Sequence, residues 1–136
     1  MSRMDHVGLN VGDLDAMRAF YVEAFGYREQ VRFSLDALDL RIVMLVDDEG
    51  RRFELLARSQ GTPGLRAATP VEAAATWGFG HVAFTVDDLP GTFHRLLALG
   101  AAEVFGPQPS PEEGFWFAYL HDPEGNLVEL IAPAPA

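Results

Sequence analysis

The stretch His6-Val-Gly-Leu-Asn-Val-Gly-Asp-Leu14 returns later in the chain as His81-Val-Ala-Phe-Thr-Val-Asp-Asp-Leu89. A second pair follows at the same offset of 75 residues. Asp47-Asp-Glu-Gly-Arg-Arg-Phe-Glu-Leu-Leu-Ala57 aligns with Asp122-Pro-Glu-Gly-Asn-Leu-Val-Glu-Leu-Ile-Ala132. Five of nine positions are identical in the first pair and six of eleven in the second, where ordinary residue usage predicts roughly one or two over the whole set. The shared offset means no net insertion separates the two stretches. The chain is one module used twice.

Each copy has the same local pattern. Met4 to Val11 alternates, with Val7, Leu9 and Val11 on an apolar face and His6, Gly8 and Asn10 on the other, which predicts a strand. Asp13 is a helix N-cap, Leu14, Met17, Phe20, Tyr21 and Phe25 repeat at helical spacing, and Gly26 is a stop. Strands are expected near 27–34, 40–46 and 51–57, the last two joined by a turn at Asp47-Asp-Glu-Gly50. The second copy alternates over 79–86, places Asp88 as N-cap of a helix ended by Gly100, and predicts strands near 101–105, 115–121 and 127–132. The fold class is therefore α+β, with two tandem βαβββ modules. Modules at 1–57 and 79–132, a linker at 58–78 with a short helix in 71–76, and a tail at 133–136 complete the expected organisation. Gly106 to Gly114, with three prolines, reads as a mobile loop.

Composition narrows the function. Among 136 residues, 49% are hydrophobic, enough for a core, yet no apolar run approaches the length of a membrane span. The first residues carry no apolar signal core, so a cytoplasmic protein is expected. The formal charge of −10 and the lack of a basic stripe argue against nucleic acid and anionic membranes as partners. Cysteine is absent, which removes disulfides, thiol nucleophiles and thiolate metal sites together.

The duplication also selects the chemistry. His6 and His81 occupy equivalent places on the first strands, Glu54 and Glu129 on the last. Each glutamate lies within an apolar run, Phe-Glu-Leu-Leu or Val-Glu-Leu-Ile, where an unpaired carboxylate costs several kcal/mol of desolvation, so it needs a cation, a proton or a partner. Singly, a strand His or Glu is most often a satisfied core or solvated residue. Both being kept in both copies points to metal ligation. Two imidazoles and two carboxylates suit a divalent Ni, Co, Zn, Mn or Fe ion with positions left for water or substrate. His94 has no counterpart in the first copy, and His121 aligns with Val46 beside a turn, so neither is a ligand candidate. Asn10 and Thr85, on the same strand faces as the histidines, and Phe117 and Tyr119, on one face of an aromatic strand, are candidate substrate contacts.

Asp5-His-Val-Gly-Leu with Asp13-Leu and Phe20-Tyr21, Gly80-His-Val-Ala-Phe with Asp87-Asp-Leu, and Asp122-Pro-Glu-Gly-Asn-Leu-Val-Glu-Leu together resemble the vicinal oxygen chelate superfamily. That group includes glyoxalase I, bleomycin-resistance proteins, extradiol dioxygenases, fosfomycin-resistance enzymes and methylmalonyl-CoA epimerase. The resemblance covers nearly the whole chain. It implies two modules curving into a cup around a divalent metal held by His6, Glu54, His81 and Glu129, built within one chain or across a homodimer. The ligand pattern is most similar to glyoxalase I. It implies a lyase or isomerase acting on a small vicinal-oxygen substrate through a metal-stabilised enediolate, with Glu129 or Glu54 as the base. Epimerase-like and dioxygenase-like enzymes, and a non-catalytic binder of an antibiotic or metabolite, are the alternatives. Where bacterial glyoxalase I typically carries a first-strand arginine that helps hold glutathione, this chain has Asn10, a departure that leaves the use of glutathione open.

Overall fold

The computed structural model describes residues 1–136, which divide into two compact units, Met1–Pro63 and Gly64–Ala136. In the first unit, strand β1 (His6–Asn10) leads into helix α1 (Leu14–Phe25). A strand β2 (Arg28–Leu35), a single 3-10 turn (Asp36–Leu38), β3 (Leu40–Val46) and β4 (Arg52–Ala57) follow. The sheet order is β1-β4-β3-β2, with β1 parallel to β4 and the other pairs antiparallel.

Local chemistry sets these boundaries. The Asp13 carboxylate accepts from the Ala16 backbone N–H at 2.9 Å and so satisfies one of the helix's unpaired donors. Gly26 ends α1 at φ 69°, in the left-handed region a side chain disfavours. Along β4, Phe53, Leu55 and Ala57 are buried while Arg52, Glu54 and Leu56 are only half-buried. The buried face meets Met17, Phe20, Tyr21 and Ala24 of α1, with the Tyr21 and Phe53 rings 4.9 Å apart. The helix packs on β3 and β4. At the sheet edge, β1 gets less cover: Val11 is buried, Leu9 is half-buried and Val7 is exposed, so its apolar face is only partly enclosed.

The second unit repeats this plan. Helix α2 (Pro70–Ala73) precedes β5 (His81–Thr85), α3 (Leu89–Ala98), β6 (Ala102–Pro109), β7 (Phe115–His121) and β8 (Leu127–Pro133), with sheet order β5-β8-β7-β6 and β5 parallel to β8. Asp88 caps α3 through the Gly91 N–H at 3.0 Å. Leu89, Phe93 and Leu96 of α3 are buried, as are Ala118, Leu120, Val128 and Leu130 of the sheet it covers. Ahead of α2 and within it, Ala67 and Ala73 are buried against Tyr119 and Leu127.

The turn between the last two strands is built identically in both units. The Asp47 carboxylate accepts from the backbone N–H groups of Glu49 and Arg51, each at 2.9 Å. Asp122 does the same for Glu124 (2.9 Å) and Asn126 (3.0 Å). The residue at the fourth place adds its side chain, Arg51 to Asp47 at 2.7 Å and Asn126 to Asp122 at 2.8 Å. Asp122 is only 3% exposed.

One expectation changes. The stretch read as loop from Gly106 is strand as far as Pro109. Its ladder to β7 shifts register between Glu103 and Phe105 and again between Phe105 and Gln108. These bulges, together with the edge position of β6, let Pro107 and Pro109 lie in a strand without breaking a central ladder. Gly114, at φ 87°, closes the shortened turn into β7.

Candidate functional site

The parallel pairing of β1 with β4 sets Gly8 opposite Glu54 and His6 opposite Arg52. Residues opposed in a ladder share a face, so His6 and Glu54 project from the same side of the sheet, away from α1. His6 Nε2 lies 3.7 Å from Glu54 Oε1. Glu54 Oε1 lies over Gly8. A Cβ there would stand 3.4 Å from Oε1, an ordinary contact, which matches the alanine at the equivalent position, Ala83.

The other edge of the His6 ring is fixed. Its Nδ1–H donates to Asp5 Oδ2 at 2.7 Å, and Arg52 Nη1–H donates to the same oxygen at 2.9 Å. Arg52 Nε–H also donates to Gln30 Oε1 at 3.0 Å. The hydrogen bond from His6, aided by the Arg52 charge against a smaller burial effect, holds the Asp5 carboxyl below the usual carboxylate range.

The second unit carries the matching pair. Glu129 stands opposite Ala83 on β5 and opposite Tyr119 on β7. His81 Nε2 is 3.1 Å from Glu129 Oε2 and 3.2 Å from the Tyr119 hydroxyl. The His81 and Tyr119 rings meet edge to face at 5.3 Å. Burial, with the charge and hydrogen bond of Glu129 added, pushes the Tyr119 phenol above its ordinary pKa. The group therefore remains a protonated donor across the physiological range. Gly80, the counterpart of Asp5, has no carboxylate to offer His81.

The remaining candidates fall as follows. Asn10 and Thr85 are exposed at the ends of β1 and β5, on the faces that carry His6 and His81. The strand register decides the aromatic strand. Phe117 pairs with Ile131 and Tyr119 with Glu129, so Phe115, Phe117 and Tyr119 share the His81–Glu129 face and Trp116 lies on the other. Phe117 is half-buried, edge-on to Tyr119 at 5.8 Å. His121 is on that same face, where its Nε2–H donates to the Ala67 carbonyl at 2.8 Å. Neither unit gathers three or more metal-ligating side chains; each holds one His–Glu pair.

Sequence reasoning missed Asp5 and Arg52. Alternation assigns neighbours to opposite faces, but Asp5 precedes the strand and escapes that rule. Arg52 was legible only through the β1–β4 register. Tyr119 was a candidate, but as a substrate contact rather than as a partner of His81.

Residues 3–130 match the family model of the Glyoxalase/Bleomycin resistance protein/Dioxygenase superfamily, and the chain belongs to that superfamily, the vicinal oxygen chelate group. It is 27% identical to a probable lactoylglutathione lyase of Vibrio parahaemolyticus, over 95% of this chain and 89% of that protein. It is 29% identical to biphenyl-2,3-diol 1,2-dioxygenase 3 of Rhodococcus globerulus, over 94% of this chain and 62% of the enzyme. A glyoxalase family protein of Bacillus cereus superposes with a TM-score of 0.79 at 26% identity, covering 99% of this chain and 96% of that one.

Proposed function

We propose that this protein is a glyoxalase-like, divalent-metal-dependent lyase or isomerase acting on a small substrate with vicinal oxygens. The observation that carries the proposal is the repeated His–Glu pair, with donor atoms 3.7 Å apart in one unit and 3.1 Å apart in the other. Ligands about 2.0–2.2 Å from one ion at octahedral or tetrahedral angles stand roughly 3–3.5 Å apart, so both pairs have about the spacing of neighbouring ligands. The donor chemistry fits Ni, Co, Zn, Mn or Fe, and His6, Glu54, His81 and Glu129 are the four proposed ligands. Bound there, the ion would supply Lewis-acid polarisation of the substrate oxygens.

The chain's own residues supply the rest. Glu129, or Glu54, takes the proton from the carbon beside the carbonyl and returns it, to the neighbouring carbon for isomerisation, with the hydroxyl proton passing to the former carbonyl oxygen, or to the same carbon for epimerisation. Tyr119, protonated and 3.2 Å from His81 Nε2, orients this pair. Phe117 offers an apolar wall beside it, and Asn10 and Thr85 offer hydrogen-bonding groups at the strand ends. Substrate capture needs no basic surface, in keeping with the −10 charge.

Metal analysis of the purified protein comes first, then solvent deuterium exchange into α-hydroxycarbonyl compounds. Stoichiometric metal and exchange lost in Glu129→Gln are expected. Metal-free protein that stays empty after reconstitution overturns the proposal. One observation favours a second reading, a binder of an apolar ligand. Val31, Phe33 and Leu35 of β2 are exposed and, through Met44, Ile42 and Leu40, share the face of Glu54. Tight binding of an aromatic ligand that survives combined loss of His6 and Glu129, without exchange activity, supports that reading over the enzyme.

A further inference from the structure

The two histidines, equivalent in the repeat, have different surroundings. His81 turns Nε2 to both Glu129 and Tyr119 within hydrogen-bonding range. His6 instead commits Nδ1 to Asp5 at 2.7 Å and leaves Nε2 3.7 Å from Glu54, beyond a hydrogen bond. A carboxylate only accepts, so the Asp5 contact requires the proton on Nδ1. The lone pair of neutral His6 then lies on Nε2, on the side of Glu54. Arg52 anchors the carboxylate from the strand next door, and Gln30 anchors Arg52. At the corresponding positions the second unit has Gly80 and Leu127, and its histidine has no such clasp.

We propose that Asp5, held by Arg52, is a positioning residue that fixes the tautomer and ring orientation of His6 so that Nε2 is presented as a ligand. This rests on the metal-dependent reading above, but the tautomer itself belongs to the protein without metal. Carboxylates that receive the far N–H of a ligand histidine raise its basicity and orient the ring, and their loss commonly weakens metal binding about 10–100-fold. Asp5 is two-thirds exposed, which places the expected loss at the lower end, about tenfold.

The test has two arms, both on the full chain. First, long-range proton–nitrogen spectra of the metal-free protein at about pH 8.5, about two units above the ordinary imidazole pKa, report the tautomer of each histidine. Wild type is expected to show Nδ1–H at His6. Asp5→Ala is expected to move the proton mainly to Nε2, as in a free imidazole, and Gly80→Ala is expected to leave His81 unchanged. Second, zinc titration alone should show about tenfold weaker binding in Asp5→Ala and partial recovery in Asp5→Asn, which keeps an acceptor oxygen but not the charge. Asp5 lies outside the strand, so a thermal melt like that of wild type is expected for both variants. A His6 tautomer that ignores Asp5, or zinc affinity unchanged in Asp5→Ala, overturns the inference. If wild type binds no metal, the metal reading fails and the tautomer arm alone still decides the role of Asp5.

Discussion

Replacing Tyr119 with phenylalanine removes a single oxygen from the candidate site. The ring keeps its packing, edge-on to Phe105 at 6.2 Å and to Phe117 at 5.8 Å, so any loss belongs to the hydroxyl. That hydroxyl sits 3.2 Å from His81 Nε2, on a residue only 6% exposed that stands opposite Glu129 in the ladder. A hydrogen bond to a neutral group contributes about 0.5–1.5 kcal/mol and one to a charged group about 1.5–3 kcal/mol. Of the partners left behind, His81 is open to water at 37% side-chain exposure and Glu129 only partly so at 15%. Rehydration offsets part of the loss, and the expected cost is about 1–1.5 kcal/mol. Urea denaturation of metal-free protein near neutral pH measures it. A double-mutant cycle with Glu129→Gln should return a coupling of about 1 kcal/mol. A cost below about 0.3 kcal/mol, or the same cost when Glu129 is already glutamine, refutes the reasoning, since contacting groups normally couple by more than this.

Three other expectations follow from the fold. Leu55 and Leu130 are equivalent in the repeat and fully buried, so Leu→Ala at either should cost about 2–5 kcal/mol in chemical denaturation; a cost under about 1 kcal/mol at either site contradicts the packing. Gly8→Ala should leave zinc affinity within about threefold of wild type, whereas Gly8→Val should weaken it about tenfold by crowding Glu54, with little change in stability; equal titrations for the two variants count against the contact. Burial, with the Asp47 charge added, holds the Tyr27 phenol above its ordinary pKa. The neutral phenol is thus favoured in the folded state. Its contribution is complete below about pH 10 and is lost as pH rises beyond that. Tyr27→Phe should flatten the alkaline fall in stability above about pH 10, and an unchanged slope argues against the assignment.

The repeat made the βαβββ order legible because its offset aligns strand, cap and turn together, and Asp13, Gly26 and Asp88 mark helix ends by chemistry that needs no tertiary context. Pro107 and Pro109 misled because proline reads as a breaker, while edge position and bulges, which permit it in a strand, are properties of the assembled sheet. The face of β7 was undecidable from alternation, since Phe115, Trp116 and Phe117 put aromatic rings on both sides. Only the pairing of Tyr119 with Glu129 resolves it. Asp5 and Arg52 stand 47 residues apart and meet through the β1–β4 register, which a local pattern does not encode.

Asp47 and Asp122 do more than close a turn. Each stands seven residues before its glutamate, Glu54 or Glu129, and clasps the backbone at both the second and fourth following residues. That clasp counts the residues in the turn. A slip of one would swap every side chain of the last strand across the sheet, sending the carboxylate into the helix-packed side and a leucine to its place. The aspartate thus acts as a parity device: it determines on which side of the sheet a negative charge emerges, in both halves of the chain, without touching the site itself.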